Sequence, residues 1–347
     1  MPPRWVLVPP ARAPVALVAA TGIGAILALR PTALLAHDGA SAQSGDIGTA
    51  LGTWRFDPPG VVLTLALAAA YAWAYWRFRS TADPQAAFRF SRWRPTAFTG
   101  GIVLMLLSLV SPIDTYSDDL FWVHMIQHVL IVMFIAPLLL LGAPATLALR
   151  GASPRVRRQY LVPFLNSRFL QICLYPPVAV IVLVGAIWLW HIPSLYDAAI
   201  DSEALHFVEH SSFLAGGLLF WWLVIGVDPS HLRPGHIARI AILIVAILQN
   251  LALGLILTSL GSAAYDSYVR VAALRDWGPS ALTDQRIGAG IMWVPGTMMF
   301  ALAVLVLVNY WAEHEAFRSR RDDLLRDLDE RAGRPVYPQP SDRPRHR

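Results

Sequence analysis

Long apolar segments separated by short polar loops dominate the pattern of this chain. Between residues 59 and 311 these segments run for about 20 residues, the length that an α-helix needs to cross roughly 30 Å of hydrocarbon. The pattern predicts an all-α fold, a polytopic transmembrane helical bundle of about seven spans within residues 58–312. The predicted spans are residues 59–76, 96–110, 121–141, 169–190, 206–227, 240–260 and 287–311.

The loops between these spans alternate in charge. Loops 77–94 and 150–168 are rich in arginine, whereas loops 111–119 and 197–203 contain acids and no arginine. Because arginine-rich loops stay on the cytoplasmic side of a membrane, the two acidic loops are predicted to face outward. We therefore expect a multi-pass protein of the bacterial cytoplasmic (inner) membrane with a cytoplasmic C-terminus.

The two ends of the chain differ from the bundle. Residues 1–36 contain an apolar run flanked by arginines, which predicts a signal peptide cleaved after Ala36 or near Ala42, or an uncleaved signal anchor that adds a helix. Residues 37–57 form a periplasmic segment rich in small residues. Residues 313–347 are dense in arginine and acid, and we expect a cytoplasmic helix that fades into disorder.

The composition excludes several classes of function. Only 15% of the residues are charged, compared with about 25% in average soluble proteins. The net charge of +5 comes from arginines in short loops that set topology, so we expect membrane lipid around the chain and no nucleic acid as a partner. Cys173 is the one cysteine, which excludes an intrachain disulfide and a thiolate metal cage. A metal site would have to use histidine, methionine or carboxylate.

Histidines cluster at the predicted outer ends of the third, fourth and fifth spans. His124 and His128 are four residues apart, as are His206 and His210, so each pair lies on one face of a helix. His191 ends the fourth span. Ionisable residues at membrane depth are costly, which favours a functional interpretation over a structural one. We expect these five histidines to meet in one bundle and to bind a metal.

The neighbours of these histidines favour copper. Imidazole suits zinc, copper, iron and nickel, and the thioether of Met125, beside His124, favours copper as Cu(I). Calcium and magnesium would require more oxygen ligands than this region offers. Four further residues are weaker ligand candidates, because a loop carboxylate is often simply exposed to solvent and a methionine in a helix often only packs against its neighbours. These candidates are Asp114, Glu209, Asp284 and Met292.

Other functions are alternatives to copper binding. A b-type haem cytochrome also uses histidines from transmembrane helices, but it needs one axial ligand from each of two positions and room for the macrocycle. A copper permease would need ligands that continue to the cytoplasmic side. The chain contains no phosphate-binding loop, dinucleotide fingerprint, nucleophile elbow or zinc-protease helix, so no enzyme is predicted. Gln249 and Asn250, at the middle of the sixth span, are expected to form interhelical hydrogen bonds.

Several short motifs, in order, resemble blocks of the CtaG-type cytochrome c oxidase assembly factors, and the resembling core covers roughly residues 58–312. The resemblance implies a seven-helix membrane protein needed to assemble a haem–copper oxidase, with a role in holding or delivering copper. It also implies oxidase subunits as partners, and a periplasmic copper chaperone is a candidate donor. The motifs are SPID (111–114), HMIQH (124–128), PLLLLGAP (137–144), WHIPSLY (190–196), HFVEH (206–210), FWW (220–222), DQ (284–285) and IMWVPG (291–296).

Overall fold

A computed structural model describes residues 52–54, 58–81, 90–229 and 234–333. Every regular element in these ranges is a helix, which confirms the predicted all-α class. The predicted signal peptide or anchor, most of the segment 37–57 and the end of the tail lie outside the described residues. The helices are α1 (Pro58–Thr81), α2 (Trp93–Val110), α3 (Pro112–Ser117), α4 (Phe121–Val129), α5 (Ala136–Leu141), α6 (Pro144–Gly151), α7 (Pro154–Val156), α8 (Val162–Leu165), α9 (Arg168–Cys173), α10 (Pro176–Trp190), α11 (Pro193–Ile200), α12 (Glu203–Ile225), α13 (His236–Ser259), α14 (Asp266–Leu274) and α15 (Ala281–Arg331).

The described helices fit a polytopic membrane bundle. Six helical segments are long and apolar enough to cross a membrane, and a bent pair raises the number to seven if it is counted as one span. The bent pair is α10 and α11, which meet at an angle of 79°. The six segments are α1, α2, the stretch from α4 to α6, α12, α13 and α15.

The fourth predicted span is broken where a continuous helix was expected. Helix α9 ends at Cys173, and α10 starts only at Pro176 and lasts 15 residues. Pro176 and Pro177 fit the first positions of a helix, because proline has no N–H group to donate inside one. A further proline, Pro193, opens α11 just after His191. The predicted span 169–190 was therefore wrong in its continuity and its start.

The third predicted span is a continuous helix, but its hydrogen-bonding pattern changes from α to π part-way along. Between α4 and α5, residues Leu130–Ile135 form a π-helical turn, and the N–H of Ala136 donates to the carbonyl of Ile131, five residues earlier. Pro137 has no N–H to offer the carbonyl five residues before it, that of Val132. The indole Nε1 of Trp221, on α12, donates to that carbonyl over 2.8 Å. The proline is thus accommodated by a wider turn and a partner from another helix.

Helix α15 is longer than the seventh predicted span. It starts at Ala281, within residues 261–286, which the sequence predicts to be an outer loop. It continues without a break to Arg331, which confirms that the tail begins as a helix. The same loop also contains α14. In the middle of the bundle, the Asn250 side chain donates to the carbonyl of Met292 over 3.0 Å, as expected for an interhelical hydrogen bond. Gln249 instead bonds to Ala246 in its own helix.

Three glycines allow close contacts that position the histidine-bearing helices. A Cβ on Gly217 of α12 would lie 3.2 Å from the Cβ of Ala136, and one on Gly216 would lie 3.1 Å from the Cα of Leu183. A Cβ on Gly288 of α15 would clash with the side chain of Phe121 at the start of α4. Helix α12 therefore packs closely against α10 and the α4–α5 segment, and α4 packs closely against α15.

Candidate metal centre

The two histidine pairs meet at one end of the bundle. His124 and His128 extend from the first turns of α4, and His206 and His210 extend from the first turns of α12. The ring centroids of His124 and His206 are 5.1 Å apart, and those of His128 and His210 are 5.3 Å apart. The sequence predicted that these four residues would come together, and the structure places them in contact.

Glu209 lies within the same cluster. Its carboxylate oxygens are 3.6 Å from Nε2 of His128 and 3.8 Å from Nε2 of His124. The side chain is only 1% exposed, and neither oxygen has a hydrogen-bond partner among the described residues. A buried carboxylate without hydrogen bonds is unfavourable unless a proton or a cation neutralises it. The geometry therefore creates a place that attracts positive charge.

The donor atoms are spaced closely enough to share one ion. The Nε2 atoms of His124 and His128 are 2.7 Å apart, a hydrogen-bond distance if one of them is protonated. Nitrogen ligands bind metals such as zinc at about 2.0 Å, so two of them on one ion are at most about 4 Å apart. Two sets of three residues, His124–His206–His210 and His124–His128–Glu209, each have ligand atoms within 4.8 Å of one another. Small side-chain movements would suffice to enclose an ion.

A tyrosine fixes the orientation of His124. The Tyr268 hydroxyl donates to the carbonyl of Ser117 over 2.7 Å and lies 3.2 Å from Nδ1 of His124. Burial raises the pKa of Tyr268 well above its ordinary value, so the phenol keeps its proton for Ser117. The hydroxyl then accepts a hydrogen bond from Nδ1–H of His124. The lone pair of His124 is thereby on Nε2, which faces His128 and Glu209.

His191 lies beside the cluster. Its Nδ1 donates to the carbonyl of Ile187 over 2.7 Å, which leaves the lone pair on a buried Nε2 that has no hydrogen-bond partner in the described chain. Its ring is 6.1 Å from the ring of Tyr196, which is in turn 5.4 Å from that of His124. His191 does not belong to either set of closely spaced ligand atoms. Its predicted role as a ligand stays a prediction.

The sequence of this chain matches that of a known protein family. Residues 69–314 match the sequence model of the cytochrome c oxidase caa3 assembly factors (Caa3_CtaG). This chain belongs to that family. The matched residues extend from the middle of α1 into the tail part of α15 and include the whole histidine cluster.

The curated relatives of this assembly-factor family member are longer proteins. An uncharacterized protein of Mycobacterium bovis and another of Mycobacterium tuberculosis are each 29% identical over 297 residues, which is 83% of this chain and 43% of the relative. An uncharacterized protein of Mycobacterium leprae is 29% identical over 276 residues, or 78% of this chain and 41% of its own length. The chain thus spans about two fifths of the relatives that it matches. No solved structure matches this chain.

Both methionines that were predicted as ligands lie at buried packing positions in this protein. Met125 is fully buried, and its Cγ would be 3.1 Å from a Cβ on Gly288 of α15. Met292 is also buried, and its carbonyl accepts the hydrogen bond from Asn250. Burial of both side chains fits packing in the helix bundle. Their thioether ligand roles stay predictions.

Asp114 and Asp284, which were expected in solvated loops, lie in the helices α3 and α15 and are buried. Asp284 accepts hydrogen bonds from the backbone N–H groups of Phe121 and Trp122, each over 3.0 Å, and one of its oxygens lies 3.6 Å from Arg275. It therefore caps the helix that carries His124 and His128. Asp114 accepts from Nε2 of Gln127 over 3.1 Å. Their ligand roles are untested, and their structural roles are clear.

Several residues that shape the site were not predicted from the sequence. Tyr196 and Tyr268 surround His124, and Arg275 neutralises Asp284 within a buried pair. Two tyrosines three residues apart, Tyr265 and Tyr268, were visible in a loop between spans. Such a spacing could have suggested a short helix with two rings on one face. Nothing in it indicated which histidine those rings would contact.

Proposed function

We propose that this chain helps to assemble a haem–copper oxidase by holding copper at the outer face of the membrane and passing it to an oxidase subunit. The observation that carries the proposal is the Glu209 carboxylate. It is buried, has no hydrogen-bond partner among the described residues, and lies within 4 Å of two histidine nitrogens. Family membership supports the assembly role. Copper is here the cargo, and the chemistry is ligand exchange rather than catalysis.

The donor set suits copper. Four imidazoles and one carboxylate supply mostly nitrogen, which fits copper or zinc and provides too little oxygen for calcium or magnesium. The oxidase that this family serves is a haem–copper enzyme, which favours copper over zinc. The chain's own residues would orient the ion through the fixed lone pair of His124 and exclude water through burial of His124, His128 and Glu209.

The arginines support an outward-facing cluster. Arg77 near the end of α1 donates to the carbonyl of Gly151 at the end of α6, so these two arginine-flanked regions meet. Helix α4 starts at the histidine end, and α6 follows the far end of the α4–α5 segment. The arginines of this region therefore lie at the end of the bundle opposite the cluster. By the positive-inside rule that end is cytoplasmic.

The geometry argues against the haem alternative. The ring centroids of neighbouring histidines in the cluster are between 4.1 and 5.9 Å apart. A bis-histidine haem needs a macrocycle between its two axial imidazoles, and the other two rings fill that space. A permease would need a second ligand group, and within the described residues both three-ligand sets lie at the same end of the bundle.

Metal analysis of the purified full chain tests the proposal. After loading with Cu(I), we expect bound copper in the wild type and its loss in the variant that combines His124→Ala with His128→Ala. The variant that combines His236→Ala with His314→Ala is the matched control, because these two histidines lie at the other end, with ring centroids 6.1 Å apart. Unchanged copper in the first variant, or a strong haem absorption band, would overturn the proposal.

A cellular experiment tests the assembly role separately. In a strain that lacks this gene, we expect oxidase activity under limiting copper to fall. The wild-type gene should restore it, and the His124/His128 variant should not, although both proteins reach the membrane in equal amounts. Full oxidase activity in the deletion strain would contradict the assembly role.

A further inference from the structure

The cluster contains two overlapping ligand sets. We name the set His124, His206 and His210 the rim set, and the set His124, His128 and Glu209 the buried set. His124 belongs to both sets. In the buried set all three side chains are buried, whereas His206 and His210 of the rim set are only half-buried.

The two sets use different positions on α4 and α12. His206 lies near the start of α12, and His124 precedes His128 by one turn on α4. The buried set exchanges His206 and His210 for Glu209, which lies between them along α12, and for His128, one turn further along α4 than His124.

We propose that the rim set and the buried set are two successive positions of one copper ion, with His124 as the ligand common to both. This inference rests on the copper-binding function proposed above and adds an order to it. The ion first binds the rim set. It then exchanges His206 and His210 for His128 and Glu209 while its bond to His124 persists.

Charge and burial give the exchange its direction. A cation that leaves the half-buried rim set for the fully buried set loses hydration, which is costly in a low-dielectric interior. The rim set is neutral, whereas the buried set contributes the carboxylate of Glu209, whose two oxygens have no other hydrogen-bond partner in the described chain. The carboxylate offsets the lost hydration, so the buried set retains the ion and the rim set admits it.

The exchange balances without any redox step. Copper–nitrogen bonds to the two rim histidines break, and bonds to a nitrogen of His128 and an oxygen of Glu209 form. The proton that neutralises Glu209 before the ion arrives moves to a rim imidazole that copper has released. The hydrogen on Nε2 of His128 moves to its Nδ1, which has no hydrogen-bond partner among the described residues. The ion keeps its charge, and no oxidant or reductant takes part. The buried Nε2 of His210, which has no hydrogen-bond partner among the described residues, is available as one of the rim donors.

Copper exchange with a chromogenic Cu(I) chelator tests the two positions, using the full chain in lipid nanodiscs. The rim variant combines His206→Ala with His210→Ala, and the buried variant combines His128→Ala with Glu209→Gln. We expect one copper per wild-type chain and one copper in each variant, held at least 10-fold more weakly. The buried variant should release copper at least 10-fold faster than wild type, and the rim variant should take it up at least 10-fold more slowly.

The shared ligand supplies the decisive comparison. His124→Ala should weaken copper binding more than either double variant, because it removes a ligand from both positions. Equal effects of all three variants on uptake and release, or complete loss of copper in both double variants, would show one undivided site. Two coppers per wild-type chain would show independent sites. A wild type without copper would refute the proposed function itself.

Folding is controlled within the same experiment. Each variant is compared with wild type by size-exclusion chromatography and helical circular dichroism. If a double variant fails these checks, the single variants His210→Gln and Glu209→Gln replace it, since both preserve side-chain volume. For these, the expected pattern is slower uptake for His210→Gln and faster release for Glu209→Gln. The reverse pattern, or no change in either rate, would overturn the inference.

Discussion

The hydroxyl of Tyr268 lies 3.2 Å from Nδ1 of His124, although the two residues are 144 positions apart in the chain. The same hydroxyl donates to the carbonyl of Ser117. Through this contact, the short helix α14 outside the spans determines which nitrogen of a histidine on α4 carries the lone pair. A residue outside both ligand sets thereby orients a residue that we propose as a ligand.

Replacing Tyr268 with phenylalanine should weaken copper binding. His124 would lose the acceptor of its Nδ1–H bond, and loss of such a supporting partner lowers metal affinity by about 10- to 100-fold. Competition titration with a Cu(I) chelator measures the change. Tyr265→Phe is the control, because that hydroxyl donates to the carbonyl of His191, outside both ligand sets. Equal affinities of the two variants would contradict this role of Tyr268.

Removing the carboxylate of Asp284 should destabilise the fold. Asp284→Ala takes two hydrogen bonds from the start of α4 and leaves the buried Arg275 without its ion-pair partner. Loss of a cap costs about 0.5 to 2 kcal/mol, and breaking a buried pair costs about 3 to 5 kcal/mol. Thermal unfolding in detergent should show a clear fall in Tm.

The control for Asp284 is an exposed ion pair in the same part of the protein. Asp201 pairs with Arg270 over 3.1 Å, and both side chains are more than half exposed. Such pairs contribute about 0 to 1 kcal/mol, so Asp201→Ala should leave Tm almost unchanged. If both variants unfolded at the same temperature, Asp284 would have no special role in holding α4.

A single methyl group on Gly288 should separate α15 from α4. The added Cβ would clash with Cδ1 of Phe121, which is buried, and overpacking of this kind costs about 1 to 3 kcal/mol. Gly290→Ala, two residues away on the same helix, is the matched control. Apart from its neighbours and the adjacent backbone of its own helix, no atom of the described residues lies within 4 Å of its added Cβ. We expect a lower Tm for the first variant and an unchanged or higher one for the second.

The interhelical bond of Asn250 should contribute modestly to stability. Asn250→Ala removes the hydrogen bond to the carbonyl of Met292, and such bonds between membrane helices average about 0.6 kcal/mol. Gln249→Ala removes only a bond within its own helix and should have a smaller effect. Reversible unfolding in mixed detergent measures both. A larger loss for Gln249→Ala would show that the interhelical bond is unimportant.

The orientation in the membrane can be measured by labelling cysteines. In a Cys173→Ser background, Asp201→Cys lies at the histidine end and Arg155→Cys lies beyond α6 at the other end. Both replaced residues are exposed. A maleimide that cannot cross membranes should label the first in intact spheroplasts and the second only after lysis. The opposite pattern would place the cluster on the cytoplasmic side.

Several features were predictable from local sequence alone. The apolar lengths gave the helical class, and the spacing of four between histidines placed each pair on one helix face. Span boundaries were predicted less well where proline intervened, as at Pro176, because a hydrophobic run does not show where backbone donors are missing. The solvated loop expected around Asp284 was wrong, because Asp284 lies in the first turn of α15 and its buried carboxylate caps the start of α4.

By itself, the sequence determined that four histidines on two helices would lie near one end of a membrane bundle. That much depends on hydrophobic length and residue spacing, which are properties of single segments. Only the tertiary structure decided that Glu209 joins them, that His191 lies beside them, and that Tyr268 orients His124. Those relationships depend on how the helices rotate and approach one another. Glycine contacts and the 79° angle between α10 and α11, beside His191, determine that arrangement, and they involve residues that are distant in the sequence.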